Sequence, residues 1–381
     1  MKNKSLLIVG CYNIVNSNSA GEKRIKLYAK SLLNKRIESV YLFHKNIIYK
    51  INSKTVICQR TNSLLHYIRI NKNIKAVLVY PSTNILIELY FLILIRLFTN
   101  IPVFIELNEV RKYSVTIESK IIDLFTSPLN YFRNKTKFGL SVIQEVTLPF
   151  YQGLITISDN LTQYYKKKNE NILQIPILSE IPDTTSLPIK YNNKVPFKIT
   201  FTGTINIKKE NLDLLFESIY NTGNKNIELH LYGQADIKNK ALLYQLIKKF
   251  NLINQIKYHG LVDNDLLMNV FKESHLLILP RGYTKQNYYG FSTKLAEYLV
   301  SGRPVLVTNV GENSKYIFDK VNGFIIEPDS TQLMSEKLKF IIENYNSFSE
   351  TIAKNALKTA KENFDYKLFS ARLYNFLFND K

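Results

Sequence analysis

Residues 197–220 read Phe-Lys-Ile-Thr-Phe-Thr-Gly-Thr-Ile-Asn-Ile-Lys-Lys-Glu-Asn-Leu-Asp-Leu-Leu-Phe-Glu-Ser-Ile-Tyr. The first five residues, Phe197 to Phe201, read as a strand. Leu212, Leu215, Phe216, Ile219 and Tyr220 follow at i, i+3, i+4, i+7 and i+8, the apolar stripe of an amphipathic helix. A polar loop holding Gly203 joins the two. Strand, loop and helix in that order make the opening of a βαβ unit.

The same alternation runs outward in both directions. Downstream, residues 228–231, 256–258, 276–279, 305–307 and 323–326 read as further strands. Upstream, strands are expected at 5–9, 40–43, 76–79, 103–105 and 154–157. Ile25, Tyr28, Ala29, Leu32 and Leu33 form a helical stripe between the first two of these. Between the two series, Pro176, Pro182, Pro188 and Pro196 interrupt the pattern, as a linker would. The expected fold class is therefore α/β, with two doubly wound, Rossmann-like domains and an interdomain cleft. The expected division is 1–180, a linker at 181–196, 197–360, and a helix at 361–381 packing back on the first domain. Open α/β sheets bind ligands at the carboxyl ends of their strands.

A chain of 381 residues suits two domains of roughly 180 residues each. Its 51 Lys and Arg against 31 Asp and Glu give a formal net charge of +20, which favours anionic partners: nucleic acid, a membrane surface or phosphate-bearing small molecules. Cys11 and Cys58 show no CxxC spacing, so neither a disulfide framework nor a zinc site is expected, and a reduced cytoplasmic setting is. The most apolar stretch, 85–98, is interrupted by Glu88 and Arg96 and falls short of the roughly 20 apolar residues that span a bilayer. It reads as a buried or membrane-surface helix.

Four segments carry candidate chemistry. In the first, Gly203 lets the backbone turn or approach a ligand, and Lys209 can meet a diphosphate beside helix N–H groups. In the second, Tyr289-Gly290-Phe291-Ser292-Thr293-Lys294-Leu295-Ala296-Glu297, Ser292 is a candidate N-cap, with Lys294 close by. Glu297, one turn inside that helix, is placed to accept hydrogen bonds from a ribose diol or to face solvent. The third is the loop 16–24 around Gly21, which does not match GxGxxG. The fourth is Glu106-Leu107-Asn108-Glu109, directly after an apolar strand, where Asn108 and Glu109 are candidate catalytic groups or structural caps.

Taken together, residues 197–330 resemble the C-terminal half of the group 1 (family 4) glycosyltransferases, which have the GT-B architecture. The resemblance rests on Phe201-Thr202-Gly203 with Lys209, His259-Gly260-Leu261-Val262, Gly290-Phe291, Lys294-Leu295-Ala296-Glu297-Tyr298, Ser301-Gly302-Arg303-Pro304-Val305 and Asn322-Gly323-Phe324. The first half resembles the family more loosely, through Gly21 and the run Leu154-Ile155-Thr156-Ile157-Ser158.

The resemblance implies a nucleotide-sugar donor, UDP- or GDP-linked, as substrate, with no cofactor, no metal and retention at the anomeric carbon. By it, Lys209 contacts the donor diphosphate, Glu297 binds the ribose, and Phe291, Ser292 and Thr293 lie near phosphates and sugar. Gly21, Gly203, Gly290 and Lys294 complete the expected donor set. Three positions depart from the family pattern: Tyr289 stands where a first glutamate is usual, Thr204 where an arginine is, and Asn108 where a histidine is.

The expected partners are the donor, a glycan or polyprenyl-linked acceptor and an anionic membrane surface, met by Lys112, Lys120, Arg133, Lys135 and Lys137. The expected location is cytoplasmic or peripheral on the inner face of the membrane, and the expected pathway is surface polysaccharide or glycoconjugate synthesis. Nucleic acid is not an expected partner, since no nucleic-acid-binding signature accompanies the charge. A sugar-nucleotide epimerase of the same architecture and an inactive membrane-associated homologue are the alternatives.

Overall fold

The computed structural model describes residues 4–10, 19–33, 37–51, 56–81, 84–114, 123–183 and 186–378. Cys11, Lys120 and the loop residues 16–18 lie outside them. The chain divides into two compact units, Met1–Leu178 with Tyr366–Lys381, and Ser179–Asp365.

The first unit holds an eight-stranded sheet. Its strands are β1 (Lys4–Val9), β2 (Ile37–His44), β3 (Ile47–Ile51), β4 (Val56–Arg60), β5 (Ile74–Val79), β6 (Val103–Leu107), β7 (Gly153–Thr156) and β8 (Ile172–Gln174), in the order β4-β3-β2-β1-β5-β6-β7-β8. β1 lies between β2 and β5, parallel to both, and Leu6 through Val9 are fully buried, as its unbroken apolar run requires.

The sheet is not parallel throughout. β3 and β4 add an antiparallel extension. Its first turn is made by Lys45 and Asn46, both at positive φ (48° and 60°), which closes a two-residue hairpin. The C-terminal helix Ser370–Phe378 belongs to this unit and adds Leu373, Leu377 and Phe378 to a core built from Leu6, Ile8, Tyr28 and Leu78.

The second unit holds six strands, all parallel: β9 (Phe197–Thr202), β10 (Ile227–Tyr232), β11 (Ile256–Gly260), β12 (Leu276–Leu279), β13 (Val305–Thr308) and β14 (Phe324–Ile326). Their order is β11-β10-β9-β12-β13-β14. Each coincides with a strand read from the sequence. The helix Leu212–Thr222 buries Leu212, Leu215, Phe216 and Ile219 and ends at Gly223, whose φ of 70° closes it as a C-cap.

Of the proline-rich run, Pro176 lies in the first unit and Pro182, Pro188 and Pro196 in this one. Tyr191 is buried against Phe197, and the fully buried Arg303 donates to the carbonyl (2.9 Å) and hydroxyl (2.9 Å) of Ser186. The helix Thr331–Asn363 closes this unit, capped by the Ser330 hydroxyl on the Leu333 amide.

Candidate active site

In the second sheet, chain order runs from β9 outward to β10 and β11 on one side and from β12 outward to β13 and β14 on the other. The point of reversal lies between β9 and β12. In open α/β sheets the carboxyl ends of two such strands bound a ligand crevice. Thr202 and Gly203 end β9, and Pro280, Arg281 and Gly282 follow β12.

The backbone here is drawn tight. Gly203 has φ 119°, and a Cβ on it would lie 2.0 Å from Lys294 Cε and 2.6 Å from its Nζ. Gly233, after β10, has φ 141°, and a Cβ there would lie 1.9 Å from the Gly203 carbonyl oxygen. The Tyr298 hydroxyl accepts from the Thr202 amide (2.9 Å), docking the helix Thr293–Val300 onto the end of β9. We expect Gly203→Ala to cost about 1–3 kcal/mol in urea unfolding, and to displace Lys294 enough to weaken nucleotide binding in the same preparation.

The charges gather at Glu210, in the short helix Ile207–Glu210. Arg281 meets this buried carboxylate with both arms of its fork, Nε to Oε2 at 3.0 Å and NH2 to Oε1 at 3.1 Å. Lys294 Nζ approaches Oε1 at 3.2 Å and lies 4.5 Å above the ring centre of Phe201. Burial alone would raise the Glu210 carboxyl, but Arg281 and Lys294, with a contribution from Lys209, hold it down at about 2. Three cations thus act on one carboxylate. A cluster of cations at this place suits a diphosphate.

Burial is the main influence on Lys294. It outweighs the attraction of Glu210 and brings the ammonium down to about 8, with Arg281 and Lys209 pushing the same way. The consequences for stability and for anion binding have opposite signs. Above about 8 the folded chain has released this proton while the unfolded chain still holds it, so the group's contribution to stability rises with pH through that window. An anion needs the ammonium. Affinity for UDP should be full below about pH 8 and fall as pH rises through it. Calorimetric titrations across that window check this, and Lys294→Gln should flatten the profile.

The second sequence segment lies over the same cluster. Gly290 and Gly311 approach closely: a Cβ on Gly311 would sit 2.9 Å from the Gly290 carbonyl and 2.7 Å from that of Asn287. Phe291 is buried and stacks on Tyr316 at 5.3 Å. Ser292 occupies the N-cap position of the helix Thr293–Val300, but its side chain caps nothing. Its Oγ is buried without a partner among the described residues. The first amides of that helix lack intrahelical partners, so the N-terminus offers donors and a hydroxyl beside Lys294. Thr293 and Glu297 are half-buried on the same helix. Asn287 clamps the loop by donating to the carbonyls of Lys209 (3.1 Å) and Gly282 (3.0 Å), and its Oδ1 is a second buried acceptor without a partner among the described residues.

The family model for glycosyl transferases group 1 matches residues 185–359. The match falls within the second unit. Sucrose synthase of Melioribacter roseus is 31% identical over 138 residues, which are 35% of this chain and 17% of that protein, so the chain spans about a sixth of its length. Among solved structures, sucrose-phosphate synthase from Thermosynechococcus elongatus superposes with a TM-score of 0.71 over 97% of each chain at 12% identity. Anabaena HepE, in complex with UDP and glucose, gives 0.69 over 98% of this chain and 99% of that one at 16% identity. The shared fold is that of the GT-B glycosyltransferases.

Within the matched residues, the structure brings Gly203, Lys209, Lys294 and the segment from Gly290 to Glu297 together around the end of β9. Sequence reasoning missed Arg281, Glu210 and Asn287. Arg281 carried a readable signal: a cation one residue past an apolar strand that ends in proline.

In the first unit, Gly21 is not in a loop. It lies in the first turn of the helix Ala20–Leu33, which a capping box closes: the Glu22 amide donates to Ser19 Oγ and the Ser19 amide to Glu22 Oε2, both at 3.3 Å. Arg24 from the same segment is buried. It pairs with Glu106 and donates to the carbonyls of Pro176 and Ile175.

Asn108 and Glu109 follow β6. The Asn108 Oδ1 is buried without a partner among the described residues, whereas the Glu109 carbonyl accepts from the Tyr165 hydroxyl at 3.3 Å. Lys112 is not available to a membrane, because it is held on Glu145 at 3.1 Å.

Proposed function

We propose that this chain transfers a sugar from a nucleotide diphosphate donor to a hydroxyl acceptor, with retention at the anomeric carbon and without a metal. The carrying observation is the gathering of the cations Lys209, Arg281 and Lys294 around Glu210, at the point of strand reversal. As the bond from the anomeric carbon to the diphosphate breaks, negative charge grows on the leaving group, the acceptor oxygen bonds to that carbon, and the hydroxyl proton passes to the departing diphosphate. Fixed cations and helix amides placed there stabilise that charge without reorganising. Glu297 positions the donor ribose, and Gly203 and Gly290 admit the phosphates to the backbone. Asn108 and Glu109 are the candidate catalytic groups of the first unit, and Gly21 is a candidate donor contact.

HepE, similar in fold, was solved with UDP and glucose, which supports UDP as the first donor nucleotide to try, with GDP the alternative. A glycan or polyprenyl-linked acceptor in surface polysaccharide or glycoconjugate synthesis fits the reading, in the cytoplasm or at its membrane.

The test is product analysis with UDP- and GDP-sugars, with and without lipid-linked and free glycan acceptors. The expected result is one nucleoside diphosphate released per sugar transferred, with the donor's anomeric configuration kept in the product. A donor sugar rearranged in the absence of any acceptor would establish the epimerase instead.

A further inference from the structure

The helix Pro128–Thr147 is inside out. Among its described side chains the buried ones are Ser141, Gln144 and Glu145, all polar. Its large apolar side chains face water: Leu129 is 86% exposed, Phe132 60% and Val146 61%, with Phe138, Val142 and Ile143 also outward. An amphipathic surface helix ordinarily turns the other way.

A buried polar network holds this orientation. Gln144 donates to Glu88 Oε2 (2.6 Å), and Arg111 takes the other oxygen of Glu88. Lys112 (3.1 Å) and the Tyr164 hydroxyl (3.0 Å) both reach Glu145. Glu88 sits on the neighbouring helix Ile85–Phe98, whose outer face is apolar too, through Leu86, Tyr90, Ile93 and Leu97.

The charges on these two helices are sorted by depth. Both carboxylates, Glu88 and Glu145, are buried. The exposed charges, Arg96, Arg133, Lys135 and Lys137, are all positive. On the described residues of these two helices, outward apolar side chains are accompanied by exposed cations, which matches an anionic leaflet, where acyl chains take the one and headgroups the other. A second copy of the same face would bring like charges together. No helix among the described residues is long and apolar enough to cross a membrane, so a helix of 20 residues, about 30 Å long, would lie in the plane of the interface.

We infer that the outer faces of Ile85–Phe98 and Pro128–Thr147 form a docking surface for an anionic membrane, set outward by the Glu88 and Glu145 networks. The inference leans on the proposed function only for why a transferase would work at a lipid surface, and its test needs no donor.

The chain contains no tryptophan, so Phe132→Trp supplies a single reporter. With vesicles of phosphatidylcholine and phosphatidylglycerol, the emission should shift to the blue and the protein should float with the lipid. Binding to phosphatidylcholine alone should be at least about tenfold weaker. Leu129→Glu with Ile143→Glu should lose about tenfold or more in affinity for the mixed vesicles. The triple variant of Arg133, Lys135 and Lys137 to Glu should lose the preference for phosphatidylglycerol. Thermal unfolding and UDP titration should be unchanged in every variant, which separates failed docking from a failed donor site. An unshifted emission with both vesicles, undiminished binding in the glutamate variants, or a dimer that shifts the reporter without lipid would overturn the inference.

Discussion

Arg281→Ala should lower kcat/KM for sugar transfer by about 10²–10³-fold, the loss typical when one fixed donor to a developing anion is removed. Arg281 is held in a single orientation by its two bonds to Glu210, so its charge is in place before the substrate arrives. A preorganised group contributes to the transition state without being ordered during the reaction. The chief effect should fall on kcat, because the leaving diphosphate carries more charge at its departing oxygen than the bound donor does. Arg281→Lys should restore little, since an ammonium cannot span both carboxylate oxygens. Steady-state kinetics on the three proteins check this, and an Arg281→Ala enzyme within twofold of wild type would remove Arg281 from the site.

Glu210→Ala should be the most destabilising change at the site. It leaves Arg281 and Lys294, both largely buried, without their counter-ion. Breaking a buried pair in this way costs about 3–5 kcal/mol, or roughly 6–20 °C at 2–4 °C per kcal/mol for a unit of this size. Lys294 can shed its proton and limit the loss, so the lower end is expected near pH 8 and above.

The same variant offers a sharper reading. If Glu210 neutralises cations that exist to hold a diphosphate, UDP should act as the missing anion and raise the melting temperature of Glu210→Ala by more than it raises that of wild type. In wild type, the Glu210 contribution should persist down to about pH 4.5 and fade as pH drops toward 2, because its carboxyl is held low in the folded chain alone.

What the sequence disclosed follows from what each element buries. In the second unit β12 and β13 were legible as short apolar runs buried throughout, whereas β10 and β11 alternate buried with more exposed residues and were legible from their place in the strand–helix order. β4 was not, since each of its five residues is exposed and its pattern carries no burial signal. The hairpin before it turns on Lys45 and Asn46 in place of a glycine-bearing pair. The capping box of Ser19 and Glu22 was readable at its spacing, yet the small residues around Gly21 resembled a loop. The orientation of Pro128–Thr147 could not be read at all, because the burial of Gln144 and Glu145 depends on Glu88, Lys112 and Tyr164 at distant positions.

The site divides in the same way. Lys209, Lys294 and Glu297 stand out in local motifs, whereas Glu210 and Arg281 are 71 residues apart and become a pair only when β9 and β12 lie side by side. Glu210 beside Lys209 looked like one more charge in a polar loop until burial gave it a role.

The cations around Glu210 are proposed to hold a nucleoside diphosphate. Calorimetric titration of the wild-type chain with UDP and GDP, beside Lys209→Ala and Glu297→Ala, tests it most directly. Micromolar binding of one nucleotide, weakened about tenfold or more in both variants, is the expected result. A folded wild-type chain that binds neither nucleotide, or variants that bind as tightly as it does, would contradict the account.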